Sequence, residues 1–372
     1  MPFFCLSLDR FTHVTVGDLF PDTMISFKRH WNFIMQYKMN LKRRQLTGLG
    51  LHAALVILAI AGPLAMTTAN AQSGPYPHKP IRLVVPFPAG GATDIFARTL
   101  SQKLGEKLGT TLVVENKPGA GGTLGSDIVA KAAPDGYTLL LATSSTHSIG
   151  PNLNPKMPYD AVRDFTPIGQ VGNAPSIMLV PNSSPAKTIQ EWIDLAKKNP
   201  GRLNYASSGN GTIVQLTAEL FKSQAGLFVV HIPYKGTALA MPDLISGKVD
   251  VLFDSLPTGL PHVKEGRLRA LGVTSAQRTN MVPGVPAISE VLPGYESTTW
   301  FGLFGPQGLR PELVNRVNTA ALQALADPEV KDKLQRLGIE AIGTSPAQFT
   351  TMLASESAKW KKIITERKIT LD

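Results

Sequence analysis

The stretch Ile81–Gly109, IRLVVPFPAGGATDIFARTLSQKLGEKLG, decides the fold. Its first seven residues are predicted to form a strand, because they are a short, mostly apolar run that ends in Pro-rich sequence. Its last eighteen read as an amphipathic helix, with apolar residues at helical spacing at Ile95, Phe96, Leu100, Leu104 and Leu108. We expect Thr93 or Asp94 to cap the start of this helix and Gly109 to end it. A strand that passes through a glycine turn into a helix is the first half of a βαβ unit.

The alternation of strand and helix continues along the chain. TLVVEN (111–116) reads as a strand, GSDIVAKAA (125–133) as a helix and YTLLLAT (137–143) as a strand. A similar series runs from TIQEWIDLAKKN (188–199) to RALGVTS (269–275). Continuous apolar strands between helices indicate parallel sheets covered on both faces.

Two such series predict an α/β protein with two lobes, each a mostly parallel, doubly wound sheet. The apolar segment STTWFGLFGP (297–306) is long enough to return to the first lobe. We therefore assign residues 76–172 plus 300–372 to lobe one and residues 173–299 to lobe two. Because the chain crosses twice between the lobes, a hinge is expected there.

The first 71 residues are not expected to belong to this fold. Residues 39–71 read as a signal peptide: a basic segment at 42–44, an apolar run at 49–61 and a small-residue cleavage site at 69–71, which would leave Gln72 first. The Arg pair in the basic segment leaves both the Sec and the twin-arginine routes open. Residues 1–38 precede a complete signal and are expected to be a non-native extension. The sequence thus predicts export to the periplasm.

Charge and cysteine content exclude several classes of protein. The formal net charge is +10, but basic residues are scattered, without a stripe or interleaved aromatics, so no nucleic-acid partner is expected. Cys5 is the single cysteine and precedes the signal, so disulfides, thiolate metal sites and a cysteine nucleophile are excluded from the mature chain. No zinc-binding His motif occurs, and we expect no metal, no cofactor and no catalytic activity.

Four strand-to-helix junctions share one chemistry: PFPAGGATD (86–94), ATSSTH (142–147), YASSGNGT (205–212) and PYKGT (233–237). Each places small or hydroxyl residues at the carboxyl end of a strand, where ligands bind in open parallel sheets. Glycine lets a ligand approach the backbone, and the unpaired N–H groups of the helix start favour an anion. Taken singly, each junction also suits an ordinary βα turn. The candidate ligand-binding residues are Phe87, Pro88, Ala89, Gly90, Gly91, Thr93, Asp94, Ser144, Ser145, Ser207, Ser208, Asn210, Gly211, Thr212, Tyr234, Lys235, Gly236 and Asp254.

Two of these polar residues admit two interpretations each. Asp254, at the end of VDVLFD (249–254), could accept a hydrogen bond from a ligand amine or hydroxyl, or cap the next turn. Lys235 could pair with a carboxylate or be solvent-exposed. His147, close to Ser144, suggests a catalytic triad only weakly, because no nucleophile-elbow motif or placed acid accompanies it.

Long segments of the chain resemble the Bug-type extracytoplasmic solute receptors, the substrate-binding proteins of tripartite tricarboxylate transporters. The matching segments include YPHKPIRLVVPFPAGGATDIFAR (76–98), VVENKPGAGGTLGSDIVAKAAPDGYTLLLAT (113–143) and WFGLFGP (300–306). The resemblance spans about residues 76–370, and residues 1–38 have no counterpart in it.

The resemblance implies a type II periplasmic-binding fold that closes on a small organic acid, either a mono- or dicarboxylate, aromatic in some members, or an amino acid. It implies that residues 87–94 hold a ligand carboxylate through backbone groups and ordered water. Residues 207–212 and Asp254 are the counterparts in lobe two. A monomer that delivers its ligand to membrane transporter subunits is expected. A sensor domain or an enzyme on the same fold is the alternative, since fold does not fix function.

Overall fold

The structure, a computed structural model, describes residues 75–371, so the predicted extension and signal peptide lie outside the described residues. The strands are β1 (Ile81–Val85), β2 (Leu112–Asn116), β3 (Thr138–Thr143), β4 (Phe165–Pro181), β5 (Asn204–Ser207), β6 (Val230–Pro233), β7 (Val251–Ser255), β8 (Leu268–Val273), β9 (Thr298–Pro306) and β10 (Glu340–Ala341). The α-helices are α1 (Ala92–Leu108), α2 (Thr123–Ala130), α3 (Gly150–Leu153), α4 (Ile189–Lys198), α5 (Ile213–Ala225), α6 (Thr237–Ile245), α7 (Leu256–Lys264), α8 (Pro311–Ala326), α9 (Pro328–Arg336) and α10 (Pro346–Glu366). Single turns of other helix types occur at Ala120–Gly122, Ser145–Ile149 and Ile288–Glu290.

The first lobe is built on the sheet order β2-β1-β3-β9-β4. Strands β2, β1 and β3 are parallel, whereas β9 is antiparallel to both of its neighbours. The short β10 pairs with β4. The βαβ unit predicted from residues 81–109 therefore lies at one end of this sheet.

The second lobe repeats the arrangement with β6, β5 and β7 parallel, and with β4 antiparallel to both β7 and β8. Strand β4, 17 residues long, pairs with β9 through its first part and with β7 and β8 through its second. The two-lobed α/β fold is confirmed. Three strands of each lobe are parallel; β4 and β9 are antiparallel to their neighbours because they carry the chain from one lobe to the other and back.

Each lobe has its own apolar core, and the last helix contacts both. In the first lobe Phe96 of α1 stacks on Phe301 of β9, with ring centroids 4.8 Å apart. Phe349 near the start of α10 packs against β3 and β9 residues. Trp360, near the other end of α10, packs in the core of the second lobe. The C-terminal segment is thus shared, and the exact lobe boundaries remain a prediction.

The limits of α1 test the predicted caps. Gly109 ends the helix in the left-handed conformation, as expected, with φ 79°. The helix starts earlier than expected: Gly91 is its N-cap, so neither Thr93 nor Asp94 caps it. Within residues 75–371 no helix is both long enough and apolar enough to cross a membrane.

Candidate functional site

A cavity lies between the two lobes, at the carboxyl ends of the parallel strands. Residues that follow β1, and residues at and after the end of β3, line it from the first lobe. Residues that follow β5 and β6, and the last two residues of β7, line it from the second, and Thr299 of β9 completes the wall. Its volume is about 60 Å³, which is room for a few water molecules. Residues of all four strand-to-helix junctions therefore line one cavity.

Four helices begin at this cavity. The first residues of α1, α5 and α6 line it, as does Ser255, the N-cap of α7. The first N–H groups of a helix have no partner within the helix, and the helix dipole places partial positive charge there. None of the residues that line this cavity, in the part of the chain that the structure describes, is Lys, Arg or His. An anion here would be held by backbone N–H groups and helix dipoles.

The loop before α1 is held in place by Asp94. The Gly90 N–H donates to Asp94 Oδ2 at 2.9 Å, and Arg98 and Asn116 donate to the same carboxylate. Burial alone would raise the pKa of Asp94, but these hydrogen bonds outweigh it and hold the pKa below its usual value. Both oxygens are thus engaged within the protein. Asp94 positions the loop and does not line the cavity.

The two lobes touch directly beside the cavity. The Ile213 N–H at the start of α5 donates to Ser145 Oγ of the first lobe at 3.0 Å. Gly236 approaches Pro88 so closely that a Cβ there would lie 2.9 Å from Pro88 Cγ. Gly236 also has φ +140°, which other residues rarely adopt. These contacts describe a closed arrangement of the lobes.

Asp254 is the one ionisable side chain among the described residues that line the cavity. It lines the cavity at the end of β7 and is 1% exposed. Burial raises the pKa of this carboxyl to about 6, against opposing hydrogen bonds from Thr258, Thr237 and the Ser255 N–H. Its Oδ2 has no hydrogen-bond partner among residues 75–371.

The structure brings some of the predicted site residues together at the cavity. Those that line it are Phe87, Pro88, Gly91, Thr93, Ser145, Ser208, Gly236 and Asp254. The predicted residues that do not line it are Ala89, Gly90, Asp94, Ser144, Ser207, Asn210, Gly211, Thr212, Tyr234 and Lys235.

Several of the residues outside the cavity wall hold the loops instead. Tyr234 donates to Asp243 at 2.8 Å, and the Thr212 hydroxyl donates to the Gly209 carbonyl at 2.7 Å. The Gly211 N–H donates to the Gln215 side chain. Lys235 is exposed and does not line the cavity. A role for these residues in ligand contact finds no support in this geometry.

Two Ser and His neighbourhoods bear on the enzyme alternative. His147 is buried among Tyr159, Phe165 and Phe304, and burial lowers its pKa to about 3. It does not line the cavity. Ser207 Oγ lies 2.6 Å from His231 Nε2, but neither residue lines the cavity. The nucleophile–base pair that an enzyme would need in the cleft is thus not found at these residues.

Sequence reasoning missed half of the cavity wall. The missed residues are Ala92, Thr143, Ile213, Val214, Thr237, Ala238, Ser255 and Thr299. All but one of them lie within two positions of a predicted residue. Thr299 differs, since it lies in β9, which was expected only as a returning strand. The run of hydroxyl residues Ser297, Thr298 and Thr299 in an otherwise apolar segment was the available signal.

Known proteins match this chain over most of its length. The family model of the tripartite tricarboxylate transporter family receptor matches residues 96–369. A protein from the tcbD-tcbE intergenic region of Pseudomonas sp. (strain P51) is 39% identical over 311 residues, which cover 82% of this chain and 92% of that protein. Protein BugT of Bordetella pertussis is 34% identical over 313 residues, covering 84% and 95% of the two chains.

Solved structures agree with these matches. A Rhodopseudomonas palustris protein with adipate superposes with a TM-score of 0.78 at 34% identity, covering 80% of this chain and 99% of that one. MatC from the same species, with bound malate, superposes with a TM-score of 0.75 at 31% identity, covering 78% and 100%. Both likenesses extend over the described lobes.

Proposed function

Because the chain belongs to the tripartite tricarboxylate transporter receptor family, we propose that it captures a small organic carboxylate in the cavity between its two lobes. The lobes close around the ligand, and the candidate contacts are the cavity-lining residues described above. Two family-like structures hold adipate and malate, which supports a carboxylate as the ligand class.

The observation that carries this proposal is the convergence of four helix starts on a cavity without a cationic side chain. Backbone N–H groups and helix dipoles favour a negative group without the cost of burying an ammonium or guanidinium. Waters between ligand and backbone can supply further hydrogen bonds, and such bridged contacts need not be weak. This arrangement suits a receptor that binds its ligand reversibly and releases it unchanged.

Isothermal titration calorimetry with adipate, malate, succinate, butyrate and benzoate tests the proposal. We expect at least one of these carboxylates to bind, and its amide or methyl ester to lose at least tenfold in affinity, because the N–H groups would then face no charge. The same compounds should raise the melting temperature in order of affinity. Equal binding of an acid and its neutral ester would contradict the proposal.

We also propose that the mature protein works in the periplasm as a monomer and passes its ligand to transporter subunits in the membrane. The family consists of receptors of this transporter class, and residues 39–71 carry the features of a signal peptide. N-terminal sequencing of protein from the periplasmic fraction should give a start near Gln72. A chain that still begins before residue 39 would overturn the proposed export route.

A further inference from the structure

Three polar side chains of the cavity wall come from three central strands: Thr143 ends β3, Thr299 lies at the start of β9, and Asp254 lies in β7. All three are at least nine-tenths buried, at 1%, 4% and 1% exposure. Each has one side-chain oxygen without a hydrogen-bond partner among residues 75–371: Thr143 Oγ1, Thr299 Oγ1 and Asp254 Oδ2. Buried polar atoms are nearly always paired, so three unpaired oxygens on side chains that line one cavity point to a missing partner.

The strand register supports a common position for the two threonines. Thr143 pairs with Phe301 across β3 and β9, and Thr299 lies two residues from Phe301 on the same strand. Side chains two residues apart point to the same face of a sheet, so Thr143 and Thr299 share a face. Neither belongs to a helix start. They are therefore separate from the backbone N–H groups that we propose for the carboxylate.

The chemistry of this second group differs from that of the helix starts. Asp254 is an acceptor when ionised, and no Lys, Arg or His of the described chain lines the cavity to neutralise it. A second carboxylate placed here would repel Asp254 across a short distance in a poorly solvated space. A hydroxyl or an ammonium group would instead donate to Asp254 and be received by the threonine hydroxyls.

Resting on the proposed function, we propose that Asp254, Thr143 and Thr299 form a distal polar subsite that selects carboxylates whose other end is a hydrogen-bond donor, a hydroxyl or an ammonium group, over those with a second carboxylate. The starts of α1 and α5 would bind the carboxylate, and the distal polar subsite, where Asp254 adjoins the starts of α6 and α7 through Thr237 and Ser255, would read the far end of the ligand.

Calorimetry at pH 8 with matched probes of four and six carbons tests this proposal. For each chain length the set consists of the unsubstituted monocarboxylic acid (the plain acid), the acid with a terminal hydroxyl group, the acid with a terminal amino group, and the dicarboxylic acid. We expect the hydroxy or the amino acid to bind at least tenfold more tightly than the dicarboxylate of the same length. Equal affinities across a set, or a tighter dicarboxylate, would overturn the distal polar subsite. If no member of either set bound, that result would contradict the proposed function, on which the subsite rests.

Three variants separate selection from a structural role. Asp254→Asn should strengthen dicarboxylate binding at least tenfold and weaken amino-acid binding at least tenfold, because it removes the charge and supplies a donor. Thr299→Val should weaken binding of the hydroxy acid at least severalfold more than binding of the plain acid, and Thr299→Ser should restore the hydroxy acid. A merely structural residue would change all probes by the same factor, and that result would refute the inference while leaving carboxylate binding intact.

Discussion

The backbone N–H of Ile213 donates to Ser145 Oγ at 3.0 Å, which joins the first turn of α5 in the second lobe to the segment after β3 in the first. The contact is buried. The bond uses one of the N–H groups at the start of α5, so α5 contributes to the contact between the closed lobes as well as to the cavity wall. In an open form water would satisfy both groups, so the bond stabilises the closed form specifically.

Replacing Ser145 by Ala should therefore weaken ligand binding through closure. The Ile213 N–H would be left unpaired in the closed form, at a cost of about 1–3 kcal/mol. We expect the Kd for the tightest carboxylate to rise roughly five- to 150-fold. Calorimetry gives the Kd, and small-angle X-ray scattering of the ligand-free protein should show a larger radius of gyration.

Ser144→Ala is the matched control for this variant. Ser144 is adjacent and fully buried, but its Oγ has no hydrogen-bond partner in the described part of the chain and the residue does not line the cavity. The Kd should change little. An equal loss of affinity in both variants would show that any hydroxyl deletion in this segment disturbs the site.

The two glycines of the first loop are predicted to differ in function. Gly91 lines the cavity with φ −78°, whereas Gly90 is exposed with φ +78° and a Cβ there would meet open space. Gly91→Ala should cost at least tenfold in carboxylate affinity with a small loss of stability. Gly90→Ala should cost about 1–3 kcal/mol of stability through backbone strain and leave affinity nearly unchanged.

Thermal melting and calorimetry on the same two preparations decide this prediction. The effects should be opposite in kind, with stability lost at Gly90 and affinity lost at Gly91. If Gly90→Ala removed binding while Gly91→Ala kept it, the loop would present its other side to the ligand.

Much of the fold followed from periodicity and turn chemistry. The apolar runs and glycine junctions of residues 81–143 predicted β1, α1, β2, α2 and β3, and the alternation of strands and helices predicted that these strands are parallel. The sequence did not predict that β4 and β9 are antiparallel to their neighbours, because an apolar segment does not indicate which strand it will pair with. The pairing of β4 with strands of both lobes depends on contacts far apart in sequence.

The site was predictable at the level of loops and not of side chains. Gly, Ser and Thr at strand ends indicated the junctions that line the cavity, since these residues permit backbone approach. Which residue of a junction faces the cavity depends on the helix start and on local hydrogen bonds. Asp94 illustrates this: its carboxylate turns back to the Gly90 N–H and to Arg98, a choice that the sequence PAGGATD does not reveal.

Gly236→Ala should impair closure. A Cβ at this position would lie 2.9 Å from Pro88 Cγ in the facing lobe, closer than ordinary packing allows. We expect carboxylate affinity to fall at least tenfold, in addition to the stability lost through the strained φ of +140°.

Gly226→Ala is the control, since Gly226 also has positive φ (+65°) but faces open space. It should lower the melting temperature and preserve the affinity measured by calorimetry. Comparable affinity in the two variants would mean that the Gly236–Pro88 contact is not part of the ligand-bound form.

The raised pKa of Asp254 predicts how stability depends on pH. Burial moves this carboxyl from 3.8 to about 6 in the folded protein, so between these values the folded state holds a proton that the unfolded state has released. Stability from this group is therefore fully present below about pH 4 and is lost as the pH rises through 6. The loss amounts to about 3 kcal/mol, from a shift of roughly two pH units.

Asp254→Asn, which cannot ionise, should remove this dependence. Without ligand, the variant should melt roughly 6 °C above the wild type at pH 7.5, and the difference should shrink towards zero at pH 4. Asp194→Asn, a change at an exposed carboxyl of α4, is the control and should follow the wild-type profile. Differential scanning calorimetry across this range measures both curves. A constant offset between variant and wild type at every pH would show that the pKa of Asp254 is the same in the folded and the unfolded chain, and would contradict the prediction.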